Sequence, residues 1–459
     1  YFLNGIPYDL QLPFASHLDV ESLPTGGWSY DNFPWKVRYL RKRIRHVVGQ
    51  TGRFHRSWGD FGGLRTQAGL DYDCFQAASH AAAVCVGDHM HPRGTLSAEA
   101  YRRIGSIYRR LEALEEWTRD ANPLTDTAVV ASFRGPISVS LTEDHRQVVG
   151  ATRALAELKV QFDVLTPDDD FSGYRTLVIL DGARFDPRAV RRIRKHLASG
   201  GAVLSTGTGG MLADSDRWLE EWGIRCVGPE PCDPPFLLRR PSFASELPRE
   251  PLTLLPGGVA VRPARGTKTL ADLVRPYFNR HWDGFHGHVY TPPDGPARRP
   301  AITMCGRVIH FAPSVFTDYA LNANPLHRAL VASALAALDD DPLVLAPDLP
   351  SFARLTLTTQ GSRTMVHLLS YVPELRTRPF TQGAVPGTVA HALGKHADQT
   401  LEMIEEPVTV RDIRVSLKRG TARQVYLAPS REPLDFNCAS GRVLFTVGEA
   451  VGYRMIVVE

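Results

Sequence analysis

The 459-residue sequence predicts an α/β protein in three parts. These are a partial (β/α)8 barrel over residues 1–122, a flavodoxin-like α/β domain over 123–342 and an antiparallel β-sandwich over 343–459. Three observations predict it. Short apolar runs alternate with helical periodicity through the first two parts, the mark of parallel α/β structure. The last part alternates at period two between Pro, Gly and Asn breaks, as an antiparallel sandwich does. The chain is also too long for one hydrophobic core, so about three domains are expected.

In the first part, residues 1–4 read as a strand ending in Asn-Gly. Residues 16–21 alternate, with Leu18 and Val20 on one face and His17, Asp19 and Glu21 on the other. Residues 35–48 read as a basic amphipathic helix and 52–57 as a second alternating strand, with Arg53 and His55 on one face. A helix over 70–80, an apolar strand over 82–87 and a long helix over 97–117, capped by Ser97, complete this part. Four strands are therefore expected, where a closed barrel needs eight. The chain opens on Tyr1 inside a strand, so we expect it to begin midway through a barrel.

In the second part, strands are expected over 127–132, 162–165, 176–180 and 202–205, with helices over 144–159, 186–198 and 324–338. Gly200-Gly201 ends the Arg-rich helix with C-cap chemistry. Between Pro229 and Pro300 the proline content rises and the pattern becomes irregular. The third part carries period-two runs over 353–358, 364–370, 413–417, 424–427, 442–446 and 453–458.

Composition excludes several function classes. Hydrophobic residues make up 43% and charged residues 22%, the balance of a globular protein. The net charge of +4 comes from arginines such as Arg188, Arg191, Arg192 and Arg194 on one helix, a solvated face rather than a nucleic-acid site. The six cysteines are scattered without a CxxC pair, so no disulfide framework is expected and a reducing, cytoplasmic compartment is favoured. Cys85, inside an apolar run, reads as a small core residue. No apolar run is long enough to span a membrane as a helix. No cofactor and no metal are expected, since His89 and His91 lack a matching third ligand nearby. The second part has no nucleophilic Cys at its strand-end elbows and reads as structural.

The chemistry is expected where the strands of the first part end, because parallel α/β barrels gather polar loops at the C-terminal face. Glu21 is the acid/base candidate; the other reading is a carboxylate that binds hydroxyls or pairs with Arg53. Asp60 is the runner-up and reads equally as a turn former. His17, Asp19, Arg53, His55, Asp88 and His91 are candidate substrate ligands. Trp28 and Trp58 flank the carboxylates as sugar platforms or as plain packing.

Three of these loops carry a resemblance. Residues 51–63, Thr-Gly-Arg-Phe-His-Arg-Ser-Trp-Gly-Asp-Phe-Gly-Gly, resemble the barrel of bacterial α-L-fucosidase-like proteins that carry a β-galactosidase trimerisation domain. Residues 22–30 and 87–94 are similar to the same group, although His89-Met90 stands where the family more often has Gln-Leu. Residues 150–210 resemble the trimerisation domain itself, and 277–280 and 367–371 extend the likeness. The resemblance implies a retaining glycoside hydrolase that acts on a terminal fucose-like or galactose-like sugar of an oligosaccharide, assembled as a homotrimer. Such enzymes use two carboxyl groups about 5 Å apart. The family's nucleophile is an Asp on the fourth strand, and this chain resembles strands five to eight. The nucleophile is thus expected upstream of Tyr1, and the chain alone is expected to be inactive. The competing reading is a noncatalytic carbohydrate-binding or assembly protein derived from such an enzyme.

Overall fold

The computed structural model describes residues 8–133, 145–255, 257–282, 287–288, 290–377 and 401–459. The strand expected at 1–4 lies outside them. After a single turn, α1 (Tyr8–Gln11), three parallel strands follow: β1 (Leu18–Glu21), β2 (Val47–Gly52) and β3 (Ala83–Gly87), hydrogen-bonded in that order. The helices between and after them are α2 (Asn32–Leu40), α3 (Gln67–Ser79), α4 (Ala98–Ala113) and α5 (Glu115–Thr118). Among the described residues this sheet has three strands rather than four and does not close into a barrel. Leu18 and Val20 are buried and pack outward with α2, as alternation requires.

Two expected elements are corrected. The helix expected at 35–48 starts at Asn32 and stops at Leu40, and Val47-Val48 instead open β2 opposite Leu18 and Asp19. The β-branched pair before Gly49 favours extended backbone. Nor is α2 amphipathic towards water: Lys36 and Arg38 are buried with its apolar residues, because α2 is wedged between β1 and the second part. The strand expected at 52–57 ends at Gly52. Residues 53–65 then fold back as a hairpin-like loop, in which Phe54 bridges Leu64 and His55 N donates to Gly63 O at 3.1 Å. Cys85 is half-exposed rather than core, because β3 pairs only with β2 among the described residues. The helix expected at 97–117 breaks after Ala113 into α4 and α5, with Ser97 capping α4 through Ala100 N.

The short β4 (Asn122–Pro123) leads into β5 (Thr127–Val130), β6 (Phe162–Leu165), β7 (Thr176–Ile179) and β8 (Ala202–Thr206). With the strand Val308–Phe311, β5 to β8 form a parallel sheet in which β6 sits outside β5, and β7, β8 and Val308–Phe311 follow on its other side. That is flavodoxin-like order. Helices α6 (Arg146–Glu157), α7 (Pro187–Ala198), α8 (Val315–Asn322) and α9 (Pro325–Leu338) accompany it. Asp186 and Asn324 cap α7 and α9. Arg188, Arg191 and Arg194 on α7 are exposed. The stretch that looked irregular continues the sheet with antiparallel strands, including Phe236–Arg239, Lys268–Pro276 and Pro293–Cys305. Register shifts between the last two strands break their period of two, which hides them in the sequence.

In the third part the runs at 442–446 and 453–458 are one strand, Arg442–Val458. Its first half pairs with Thr409–Lys418 and Phe436–Ala439, its second with Arg363–Ser370 and Val425–Ala428. The two sheets that share it enclose one core around Leu355, Val366, Ile413 and Val443. Gly452, at φ +62°, interrupts the alternation.

The parts are bound by shared cores. Leu18, Phe33 and Trp35 pack with Val129, Leu155 and Phe162 of the second part. Phe75 of α3 stacks on Tyr453 of the third at 4.4 Å between ring centroids. β4 adds a strand beside Arg354–Gln360.

Candidate active site

Glu21, Gly52 and Gly87 are the last residues of three adjacent parallel strands, so the loops after them meet at one edge. Glu21 is 5% exposed, and Asn32 Nδ2 of α2 donates to its backbone oxygen at 3.2 Å. The Trp58 indole N–H donates to Glu21 Oε1. Trp58 reaches it because its ring lies over the end of β3, where a Cβ on Gly87 would sit 2.3 Å from the ring. Only glycine admits that approach.

Two groups that the sequence did not single out belong to the same site. Lys36 is 1% exposed, and burial pulls its pKa down to about 7, with the charge of Glu21 opposing that fall. Tyr8 is held well above the ordinary phenol range by burial and then by the charges of Glu21 and Asp19. No sequence signal marked Lys36, which sat in an apparently solvated basic helix. It becomes visible only once α2 is buried on both sides.

Beside this pair, Arg53 follows β2 and Asp88 follows β3. Arg53 Nε donates to Asp88 Oδ1 at 2.7 Å, and Arg53 Nη1 donates to Phe61 O at 3.1 Å. Asp88 Oδ1 also accepts from His89 N at 2.7 Å. The Arg53 guanidinium lies 4.2 Å from the Phe54 ring centroid. Phe61, at the exposed tip of the loop, is flanked by His89 and His91 with ring centroids 5.6 and 5.8 Å away. His91 Nδ1 accepts from Arg93 N at 3.1 Å.

Glu21, Arg53, Trp58, Asp88 and His91 therefore share one edge. Asp60 folds over its own loop, its carboxylate lying 2.0 Å from where a Cβ on Gly63 would be, as a turn residue does. His17 precedes β1, roughly 13 Å of strand away from Glu21. It shares Glu21's side of the strand but lies at the opposite end, 3.8 Å from Asp19. Trp28 is half-buried in the turn after β1, and His55 is half-buried in the hairpin-like loop. Among the described residues no group of three or more His, Cys, Asp or Glu side chains is arranged to hold a metal ion.

A buried ion pair supports the edge from below. Arg65 Nη1 lies 2.6 Å from Asp73 Oδ2, which also accepts from Thr51 Oγ1 of β2 at 2.6 Å. Burial works against the Arg65 charge, but Asp73 and Tyr30 outweigh it and hold the guanidinium protonated. Burial pushes the Asp73 pKa up against the opposing pull of Arg65.

No protein-family model matches the chain, and no curated protein does. Solved structures do. The α-L-fucosidase isoenzyme 2 of Paenibacillus thiaminolyticus is 28% identical, with a TM-score of 0.86 over 99% of this chain and 66% of that one. Gan42B, a GH42 β-galactosidase from G. stearothermophilus, is 11% identical with a TM-score of 0.64, over 99% of this chain and 61% of that one. The cold-adapted β-galactosidase of Rahnella sp. R3 is 14% identical with a TM-score of 0.62, over 99% and 62%. The chain thus has a glycoside hydrolase-like fold and spans just under two thirds of the length of these structures.

Proposed function

We propose that the chain carries the acid/base side of a retaining glycoside hydrolase that releases a terminal fucose-like or galactose-like sugar. The observation that supports this most directly is Glu21. It is a buried carboxyl at the C-terminal end of a parallel strand, under an indole N–H and beside a buried lysine. Strand ends are where such folds do chemistry. An acid/base must hold a proton for the leaving oxygen and later take one from water. The names of the structural relatives agree with a sugar substrate.

A retaining reaction also needs a second carboxyl about 5 Å from the first. Asp88, at the end of β3 with β2 between it and Glu21's strand, is committed to Arg53 and His89 N. In this reading the chain by itself binds sugar without turning it over. Residues 1–122 supply the site, 123–342 mediate assembly into a homotrimer and 343–459 form a C-terminal β-sandwich. Light scattering that gives a strict monomer at micromolar concentration removes the assembly part.

The test of the site uses the 459-residue chain. Fucose or galactose should quench or shift Trp fluorescence saturably, and Glu21→Gln should weaken that binding. If nitrophenyl fucoside or galactoside is turned over, the inactivity is refuted and the role of Glu21 becomes directly testable. Glu21→Gln should then cripple substrates with poor leaving groups far more than activated aryl glycosides, with azide restoring turnover. Binding and turnover both unaffected by Glu21→Gln would sink the assignment and leave the noncatalytic assembly reading.

A further inference from the structure

A cavity of about 370 Å³ lies where the three parts meet, and none of Glu21, Arg53, Trp58 or Asp88 lines it. Its volume falls in the range of small-molecule pockets. Its charges are unevenly satisfied. Arg153 is paired with Asp31 at 3.0 Å, and Glu157 with Arg328. Glu402 accepts from Ser29 Oγ at 3.1 Å and from Tyr30 N at 3.2 Å, and burial pushes its pKa up.

Two lining arginines have no such balance. Arg38 of α2 rests 4.3 Å above the Phe162 ring centroid and spends Nη1 on Pro34 O at 2.8 Å. Arg354 of the third part spends Nη1 on Ser351 O and Phe352 O, at 2.7 and 2.9 Å. Among the described residues no carboxylate lies within ion-pair distance of either guanidinium. Arg38 is buried and Arg354 half-buried; a buried guanidinium without an anion is costly, and the fork of N–H groups fits an oxyanion. The Tyr72 hydroxyl on the same lining already accepts from Gln76 Nε2 at 2.8 Å, which leaves its own hydrogen to donate.

We propose that this cavity binds a small molecule carrying a phosphate or a carboxylate, with the oxyanion seated by Arg38 and Arg354. The proposal stands apart from the glycosidase reading, since it uses none of that site's residues. Arg38 and Arg354 come from the first and third parts, so the occupant would join them and stabilise the fold.

The test is equilibrium dialysis of the 459-residue chain against labelled inorganic phosphate and, separately, labelled acetate, at constant ionic strength in chloride. One saturable site per chain is expected for one of the two, which also separates the sources, together with a rise in melting temperature that chloride does not give. Arg354→Gln and Arg38→Gln should each weaken binding at least tenfold. Because Arg354 also holds backbone carbonyls, Tyr72→Phe serves as a milder variant, with a weakening of about threefold. No saturable uptake of either probe overturns the proposal. So does equal affinity in the parent and all three variants, which would mark an adventitious ion only.

Discussion

Asp73→Asn tests whether the ion pair under the candidate site carries its strand ends. Arg65 is 1% exposed and Asp73 9% as side chains, at 2.6 Å. The substitution keeps shape and removes the carboxylate that, among the described residues, balances Arg65, leaving Thr51 Oγ1 and the Tyr30 hydroxyl, at 2.5 and 3.4 Å, as neutral partners. The adjoining void is about 10 Å³, the lower bound for one water, so solvent has little room to replace the charge. Breaking one side of a buried pair costs about 3–5 kcal/mol. For a cooperative unit of ordinary domain size that is a fall in melting temperature on the order of 10 °C. The assay is urea and thermal unfolding followed by far-UV circular dichroism and Trp fluorescence. The double change Asp73→Leu with Arg65→Met should recover most of the loss, because an apolar pair of similar volume needs no desolvated charge. A loss below about 1 kcal/mol for Asp73→Asn would show that Arg65 is satisfied without its carboxylate and refute the reasoning.

Two further outcomes follow from close contacts and from burial. Gly87→Ala places a methyl 2.3 Å from the Trp58 ring, so it should displace the indole from Glu21, change the near-UV spectrum and weaken sugar binding. Gly62→Ala, with open space around it, is the silent control. Lys159 donates to Pro350 O and Ala353 O, both at 2.7 Å, and its pKa is lowered to about 7, first by burial and then by Arg354. Its folded value lies below the unfolded one, so between about pH 7 and pH 10 the unfolded chain holds the extra proton and stability rises with pH. Each such lysine contributes a slope of up to about 1.4 kcal/mol per pH unit. Lys36 titrates in the same window, so Lys159→Met should roughly halve the rise of melting temperature across it; an unchanged slope assigns the effect elsewhere.

How much of this was legible beforehand depended on whether the physics was local. The alternation of Leu18 and Val20 with Asp19 and Glu21, the cap at Ser97, and the apolar strands of the flavodoxin-like sheet are written in nearest-neighbour patterns, and they stand where the sequence puts them. Glu21 and Trp58 were singled out because loops after parallel strands must converge. Their contact through Gly87 was not, since nothing in a glycine's neighbours announces a ring across the sheet.

Long-range placement decided the rest. Lys36 and Arg38 look like the solvated face of a helix, and only the second part packing on α2 turns them into buried charges with displaced pKa values. The antiparallel strands between 229 and 300 were hidden by register shifts, which are set by partners rather than by the strand itself. The pairing of Asp88 with Arg53 and the cavity between the three parts likewise depend on residues far apart in the chain. Sequence determines which residues can be charged, apolar or extended. Which charge loses its water, and which finds a partner, is settled only when distant elements meet.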